Sequence, residues 1–402
     1  MTFFAQYDDA LSDAERELVS KARWFCEGKF SEETRQAHLR GVPFAREWIK
    51  SWADEGMLGL QVKPEHGGHG ASFICKVRVA QEVARHSFAA AFCLNNLQGQ
   101  ATRLSRAGSD EQRSHLLAGL VAGSILAAPS MSEPSGGSDL GALTTTATPV
   151  SGGWLVNGVK DWVTNGTIVD WVSMLVRSGE SAELMSLLVP CGAESSVTRE
   201  EVPLAGGRSF RLAKMTFRDH FVPDWALLGP AGNAVRASMA AVNAARVHVA
   251  AMAVATLHSA LCEAVRYCGR REALGKVLLA HQGLQWELAE VAARLEAANA
   301  LGFKAAQLVD RGLPAQTAAA QCKKFAVDTA IWGIDQCIRA MGAVGASDAH
   351  RLGMHLAEVR LAAYADGTNE MMLDRIGRGL AKDYGMPVAG EQAPTGMEGK
   401  PT

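Results

Sequence analysis

The segment Ala128-Pro129-Ser130-Met131-Ser132-Glu133-Pro134-Ser135-Gly136-Gly137-Ser138-Asp139 joins a helix-rich first third of the chain to a strand-rich middle third. Its residue types suit contact with a polar ligand. Ser132 and Ser138 offer hydroxyls, and Gly136-Gly137 lets backbone N–H groups approach a polar ring edge or a phosphate. Taken alone, the same residues also suit a solvent loop.

Upstream, residues 1–125 read as helices broken by one loop. Trp48, Trp52 and Met57 fall near helical spacing within 45–58. That helix is expected to stop at Lys63-Pro64-Glu65-His66-Gly67-Gly68-His69-Gly70, where Pro and Gly make turns. Further helices are expected over 77–90 and 110–120. Downstream, the runs 144–148, 154–156, 162–164, 171–176 and 185–189 are rich in β-branched and aromatic residues and read as short strands. Asn157-Gly158 between two of them predicts a tight hairpin, since both residues tolerate positive φ. From 234 to 383 long helices return. Leu284, Leu288, Val291, Leu295 and Ala298 form one apolar stripe, and Gly312 and Pro314 stop that helix. The next run, 315–341, ends in Gly342-Ala343-Val344-Gly345.

The expected organisation is α+β: an N-terminal α-helical domain (1–125), a middle β-barrel or sandwich domain (126–233) and a C-terminal four-helix bundle (234–385). A Gly/Pro/Glu-rich mobile tail (386–402) follows.

Composition excludes several classes. The 402 residues are 48% hydrophobic and 20% charged, ordinary for a globular protein with a large core. A net charge of −2 makes no overall case for nucleic acid or an anionic membrane. Residues 1–17 carry Asp8, Asp9, Asp13 and Glu15 and lack the apolar region of a secretory signal. The most apolar stretch, 247–257, is interrupted by His248 and preceded by Arg246, so no membrane span is expected. The eight cysteines form no Cys-x-x-Cys pair and stand at no metal-ligand spacing with histidine. They read as buried thiols in a reducing cytoplasm, and no metal site is expected.

In family order and spacing, several segments resemble the acyl-CoA dehydrogenase family. The segment 132–139 is similar to the family's Thr/Ser-Glu-Pro-x-x-Gly-Ser-Asp loop, which lies along the flavin. The resemblance implies that Ser132 bonds the flavin ring and Ser138 the pyrophosphate of FAD. Asn157-Gly158-Val159-Lys160-Asp161-Trp162-Val163-Thr164-Asn165-Gly166 resembles Asn-Gly-x-Lys-x-Trp-Ile-Thr-Asn. By that likeness Trp162 covers the flavin and Thr164 bonds near its N5. A buried hairpin tryptophan is the plainer reading of Trp162 by itself.

Arg271-Glu272-Ala273-Leu274-Gly275-Lys276, with His281-Gln282 after it, is similar to Arg-x-x-Phe-Gly-Lys with a downstream Gln. There the Arg reaches the cofactor pyrophosphate across a subunit contact, a task that the planar fork of Arg271 suits. Gln282 joins it by position, and Leu274 departs from the usual Phe. Cys337-Ile338-Arg339-Ala340-Met341-Gly342-Ala343-Val344-Gly345 resembles the Gln-x-x-Gly-Gly-x-Gly turn that holds the adenine half of FAD. This likeness assigns Arg339 and Gly342 to the cofactor, although Arg339 replaces Gln and Ala343 replaces Gly.

The family's base usually lies in Tyr-Glu-Gly-Thr, and this chain has Tyr364-Ala365-Asp366-Gly367-Thr368-Asn369-Glu370. Some branches place the base just before the Arg of the first long bundle helix, where this chain has Ala245 before Arg246. The resemblance therefore implies Asp366 as the base, with Thr368 and Glu370 beside the cofactor. Such a base removes the proton α to the thioester carbonyl while a hydride leaves the β-carbon for the flavin. Two other readings of Asp366 stand beside this one: the chemistry of nitroalkane oxidases, which resemble the family and use an aspartate there, and a purely structural helix cap. Arg246 and Arg378 read equally as site residues or as bundle ion pairs.

The activity implied is FAD-dependent α,β-dehydrogenation of an acyl thioester on coenzyme A or an acyl carrier protein. An electron-transfer flavoprotein acceptor and a homodimer or homotetramer are implied with it. The alternatives are a flavin oxidase and an inactive relative acting as a binding or scaffold protein.

Overall fold

The computed structural model describes residues 3–181, 183–192, 196–205, 208–229 and 234–385, so the expected tail at 386–402 lies outside the described residues. Before the first strand come the α-helices α1 Ala5–Asp8, α2 Asp13–Phe25, α3 Ser31–Leu39, α4 Glu47–Asp54, α5 Phe73–Ala84, α6 Phe88–Ala107 and α7 Asp110–Ala122. Local chemistry starts several of them. Ser12 Oγ accepts from Glu15 N at 3.3 Å while Glu15 Oε2 accepts from Ser12 N at 2.9 Å. Ser109 and Gln112 repeat this at α7, each pair satisfying two donors that a helix start leaves free. Trp52 is buried 5.0 Å from the ring of Phe25, as its spacing suggests.

The helix expected over 77–90 is in fact two. The chain breaks at Arg85-His86-Ser87, because Ser87 Oγ caps α6 by accepting from Ala90 N at 3.1 Å. Ser87 also donates to the buried Glu358 Oε2 at 2.9 Å, a partner 271 positions away that no local pattern contains.

The middle region holds β1 Ala127–Ser130, β2 Thr146–Val150, β3 Gly153–Val163, β4 Trp171–Ser178, β5 Leu184–Pro190, β6 Val197–Glu201 and β7 Ala213–Pro223. They form a seven-stranded mixed sheet in the order β1-β4-β2-β3-β7-β6, with β5 on β4. The pairs β1–β4 and β2–β4 are parallel and the rest antiparallel.

The hairpin expected at Asn157-Gly158 is not there. Both residues lie inside β3, at a bulge between Val156 and Gly158, and the two-residue turn is Ser151-Gly152. Asn157 is held by the neighbouring strand: its Nδ2 donates to Asp219 Oδ1 at 2.9 Å and its Oδ1 accepts from Asp219 N at 2.8 Å. Gly158 has φ +147°, and a Cβ there would come within 2.6 Å of Thr145 Oγ1. Close packing on β2's approach, not a turn, selects glycine.

The C-terminal region is α8 Ala234–Cys268, a small hairpin of β8 Glu272–Ala273 and β9 Lys276–Val277, then α9 Gln282–Asp310, α10 Gln316–Met341, α11 Leu352–Val359 and α12 Asn369–Asp383. Within α8, Ser238–Cys268 is long and apolar enough to cross a membrane, but 78% of its apolar window is buried, so it is the core helix of the bundle. Leu288, Val291, Leu295 and Ala298 are buried as the stripe predicts, with Leu284 partly covered. Small residues bring α8 and α10 together: a Cβ at Gly333 would lie 2.7 Å from Leu257 Cδ1. All eight cysteines are free and all but Cys262 are buried. Cys262 Sγ lies 3.6 Å from His258 Nε2, one helical turn earlier on α8, and no cluster of three potential metal ligands occurs among the described residues.

Candidate active site

The middle sheet and the bundle meet at a cleft of about 1450 Å³. One wall is the Ser130–Ser138 loop with the end of β3, and the other is the turn before α12. The α6 face Phe88, Phe92 and Asn96, one helical turn apart from each other, closes a third side.

A buried ion pair holds the loop. Lys160 Nζ donates to Glu133 Oε1 at 2.8 Å, both side chains fully buried, and to Met131 O at 3.3 Å. Glu133 also accepts from Thr144 N and Oγ1 at 2.7 Å each and from Thr145 N at 3.0 Å. Burial pushes the Glu133 carboxyl up, but the Lys160 and threonine donors outweigh it and bring it down to about 2. Asp161 N donates to Ser132 O at 2.9 Å, tying the loop to β3 a second time. These bonds leave Ser132, Ser138 and the backbone of Gly136-Gly137 facing the cleft.

Trp162 and Asn165 take left-handed backbone conformations, φ +58° and +60°. Trp162 N donates to Asp161 Oδ1 at 2.9 Å, and Asn165 Nδ2 donates to Cys93 O of α6 at 3.1 Å. This double anchor presents the indole of Trp162, 54% exposed, at the cleft together with Thr164. Half open at the cleft wall, Trp162 is not the buried hairpin tryptophan that its residue type alone suggests.

Opposite lies Asp366, half-buried, with φ +54°. Arg246 Nε donates to its carbonyl at 2.9 Å, and Arg246 Nη1 donates to Asn243 Oδ1 at 2.9 Å. The fully buried Lys323 donates to Ala363 O at 3.3 Å and to Gly367 O. Burial raises the Asp366 carboxyl above its ordinary value, with the charges of Lys323 and Arg246 pulling the other way. Asp366 does not cap α12. Thr368 does, its Oγ1 accepting from Met371 N at 3.3 Å, because the left-handed turn carries Asp366 away from the helix start.

Ser132, Ser138, Trp162, Thr164, Asp366 and Thr368 thus line one cleft. Glu370 is exposed on the first turn of α12. Arg271, Gln282, Arg339 and Gly342 lie outside the cleft, exposed near the end of the bundle that carries the β8–β9 hairpin. The tip of that hairpin, Leu274, is 94% exposed. Arg246 and Arg378, each read two ways in the sequence, both line the cleft, with Arg360 and Arg375 beside them. Lys323 and the aromatic set Phe88, Phe92 and Phe210, with ring centroids 5.8–6.2 Å apart, had no signal of their own beyond the i, i+4 spacing on α6.

Models of the acyl-CoA dehydrogenase N-terminal, middle and C-terminal domains match residues 12–124, 128–220 and 234–381. An acyl-CoA dehydrogenase of Bacillus subtilis (strain 168) is 30% identical over 333 residues, 82% of this chain and 88% of the relative. The chain belongs to the acyl-CoA dehydrogenase family. Its fold matches butyryl-CoA dehydrogenase from Megasphaera elsdenii at TM-score 0.88 and 25% identity, covering 92% of this chain and 98% of that one. A glutaryl-CoA dehydrogenase from Mycobacterium smegmatis in complex with FADH2 shares the fold at TM-score 0.85 and 22% identity, covering 93% and 96%. As a member of this family the protein is an FAD flavoenzyme and an oxidoreductase.

The residues present fit that cofactor. The cleft offers hydroxyl donors from Ser132, Ser138 and Thr164, an open backbone at Gly136, and an indole face. Ser130 Oγ and Asn96 Oδ1 are buried without a partner among the described residues, as expected where polar ligand atoms belong.

Proposed function

We propose that the protein removes two hydrogens from the α,β-bond of an acyl thioester, with Asp366 as the α-proton base. The observation that carries this reading is that the Asp366 turn opens into the same cleft as Ser132, Trp162 and Thr164. FAD, when bound, supplies the acceptor for the hydride leaving the β-carbon. Ser132 and Thr164 would hold its ring, Ser138, Thr368 and Glu370 its linker, and Trp162 one ring face.

Asp366 takes the α-proton on its carboxylate. Its raised proton affinity suits that step, since a general base is most effective when its pKa approaches the operating pH. The backbone N–H of Asp366 makes no hydrogen bond among the described residues, so it is free to donate to the thioester carbonyl oxygen as charge develops there. Phe88, Phe92 and Phe210 exclude water from the acyl group. Arg246, Arg360, Arg375 and Arg378 favour an anionic carrier, which suits the phosphates of either coenzyme A or acyl-carrier phosphopantetheine.

Arg271, Gln282, Arg339 and Gly342 would serve the cofactor of a second subunit. The exposed Leu274 and Trp286 near them support a homodimer or homotetramer. Electrons would leave to an electron-transfer flavoprotein, with the enzyme working in fatty acid metabolism in the cytoplasm. One observation favours a second reading: aspartate rather than glutamate at 366 also matches nitroalkane oxidation.

The test is anaerobic mixing of the flavin-loaded protein with short, branched and cyclic acyl-CoAs. Bleaching of the oxidised flavin band, formation of an enoyl product and loss of both in Asp366→Asn are expected. Bleaching only by nitroalkanes, with rapid uptake of oxygen, would replace this reading by the second. No bleaching by any of these compounds would favour a binding role.

A further inference from the structure

The turn that carries Asp366 has an unusual problem of hydrogen-bond supply. The short 3-10 turn Arg360–Ala363 ends and the chain reverses before α12, with Asp366 at φ +54° and Gly367 at φ +93°. The carbonyls of Ala363, Asp366 and Gly367 are therefore outside any regular ladder. Buried carbonyls need donors, and none comes from the backbone here. Two cations supply them. Lys323 of α10 reaches Ala363 O at 3.3 Å and Gly367 O, and Arg246 of α8 reaches Asp366 O at 2.9 Å.

The two differ in what else they do. Arg246 lines the cleft and bonds Asn243, whereas Lys323 is fully buried and absent from the cleft wall. Among the described residues Lys323 makes no ion pair, whereas the adjacent Lys324 takes Asp328 Oδ2 at 2.8 Å. An ammonium is costly to bury, and it is tolerated where hydrogen bonds and a neighbouring opposite charge offset the desolvation. Those found here are the two carbonyls on either side of Asp366 and the Asp366 carboxyl itself.

We propose that Lys323 is a positioning residue for Asp366, gathering the carbonyls of Ala363 and Gly367 so that the left-handed turn holds the carboxyl at the cleft, and keeping that carboxyl ionised through its charge. This inference rests on the reading of Asp366 as the base. The charged groups around the pair support the electrostatic half. Lys323 faces Asp366 from the turn, Arg246 from α8, Asp328 from its own helix and Glu370 from α12. Asp366 feels Lys323 and Arg246, and Arg375 of α12 acts on Arg246. Lys323 is itself brought down to about 8, chiefly by burial, so it is cationic at neutral pH. The first residue of α12 is tied to the same helix, Asn369 Nδ2 donating to Asp328 Oδ1 at 2.6 Å, so α10 holds both ends of the turn.

The experiment compares the flavin-loaded wild type with Lys323→Met, Lys323→Arg and Asp366→Asn in anaerobic reduction by an acyl-CoA across pH. A base displaced by ~1 Å costs ~100-fold in rate, so Lys323→Met should slow reduction at saturating thioester by about that factor. Its binding of flavin and of a non-reducible thioether analogue should change less than twofold. Loss of a cation near a carboxyl raises its pKa by ~1 unit or more, so the acid limb of the rate profile should move up correspondingly. Lys323→Arg should recover at least tenfold of the rate and return the limb toward wild type.

A Lys323→Met enzyme within threefold of wild type, with an unmoved limb, would overturn the proposal while leaving Asp366 as the base if Asp366→Asn is dead. Should Lys323→Met fail to fold, Lys323→Gln, which keeps a donor and loses the charge, is read in the same way. If no thioester reduces the wild type, the dehydrogenase reading fails separately. The proposal is then judged by titrating the ¹³C-labelled carboxyl of Asp366, identified by its loss in Asp366→Asn. A midpoint unchanged by Lys323→Met or Lys323→Gln overturns it, and a raised one sustains it.

Discussion

Glu133 and Lys160 meet at 2.8 Å with neither side chain exposed, one in the loop that walls the cleft and the other in the strand that presents Trp162. The bond makes the two sequence segments a single rigid unit. Removing one partner of a buried pair leaves the other charge without compensation, typically at a cost of about 3–5 kcal/mol. Lys160→Met should therefore melt several degrees lower and purify with less flavin than wild type, whereas an unchanged flavin content would show that the loop holds its shape without the pair.

Acid should expose the same pair. The folded Glu133 carboxyl lies at about 2, below its ordinary value of 4.5. A depressed folded value means stability present above about pH 4.5 and lost as pH falls toward 2. Unfolding followed over that window should be less steep in pH for Glu133→Gln than for wild type.

Glu358 behaves in the opposite sense. It accepts from Ser87 Oγ at 2.9 Å and from Ala89 N at 3.0 Å at the start of α6, and burial raises it to about 7. The folded state then holds its proton more tightly than the unfolded one, so this contribution is full below pH 4.5 and is lost as pH rises through 7. Glu358→Gln should flatten the decline in stability between those values, measured as denaturant midpoints at pH 5 and pH 8.

Base strength can be read from the rate of flavin reduction. As the proposed base, Asp366 must be ionised to accept the α-proton, and burial raises it above 3.8. Reduction should thus increase with pH through a limb whose midpoint exceeds that of a free aspartate. Asp366→Glu adds one methylene to a carboxyl already placed for this cleft, and a slowing of roughly 10- to 100-fold is expected. A faster Asp366→Glu enzyme would mean that the cleft is shaped for glutamate.

Gly158→Ala tests the bulge in β3. The added Cβ would lie 2.6 Å from Thr145 Oγ1 and 2.7 Å from Thr145 Cα, at a backbone φ of +147°. Overpacking of this kind costs about 1–3 kcal/mol, which equilibrium unfolding should register.

Sequence by itself determined the order of helical, strand-rich and helical regions and the family to which the cleft segments point. These depend on neighbours within a few positions or on motifs kept in order along the chain. It misread Asn157-Gly158 as a turn, because the local preference for positive φ is shared by hairpins and bulges, and only Asp219 and Thr145 across the sheet distinguish them. It ran α5 and α6 together, because the break is fastened by Glu358 from a distant helix. Tertiary structure alone decided that Lys323 and Arg246, 77 positions apart, close on the turn around Asp366. A buried donor finds its acceptor through packing of whole helices, and no spacing along the chain encodes that meeting.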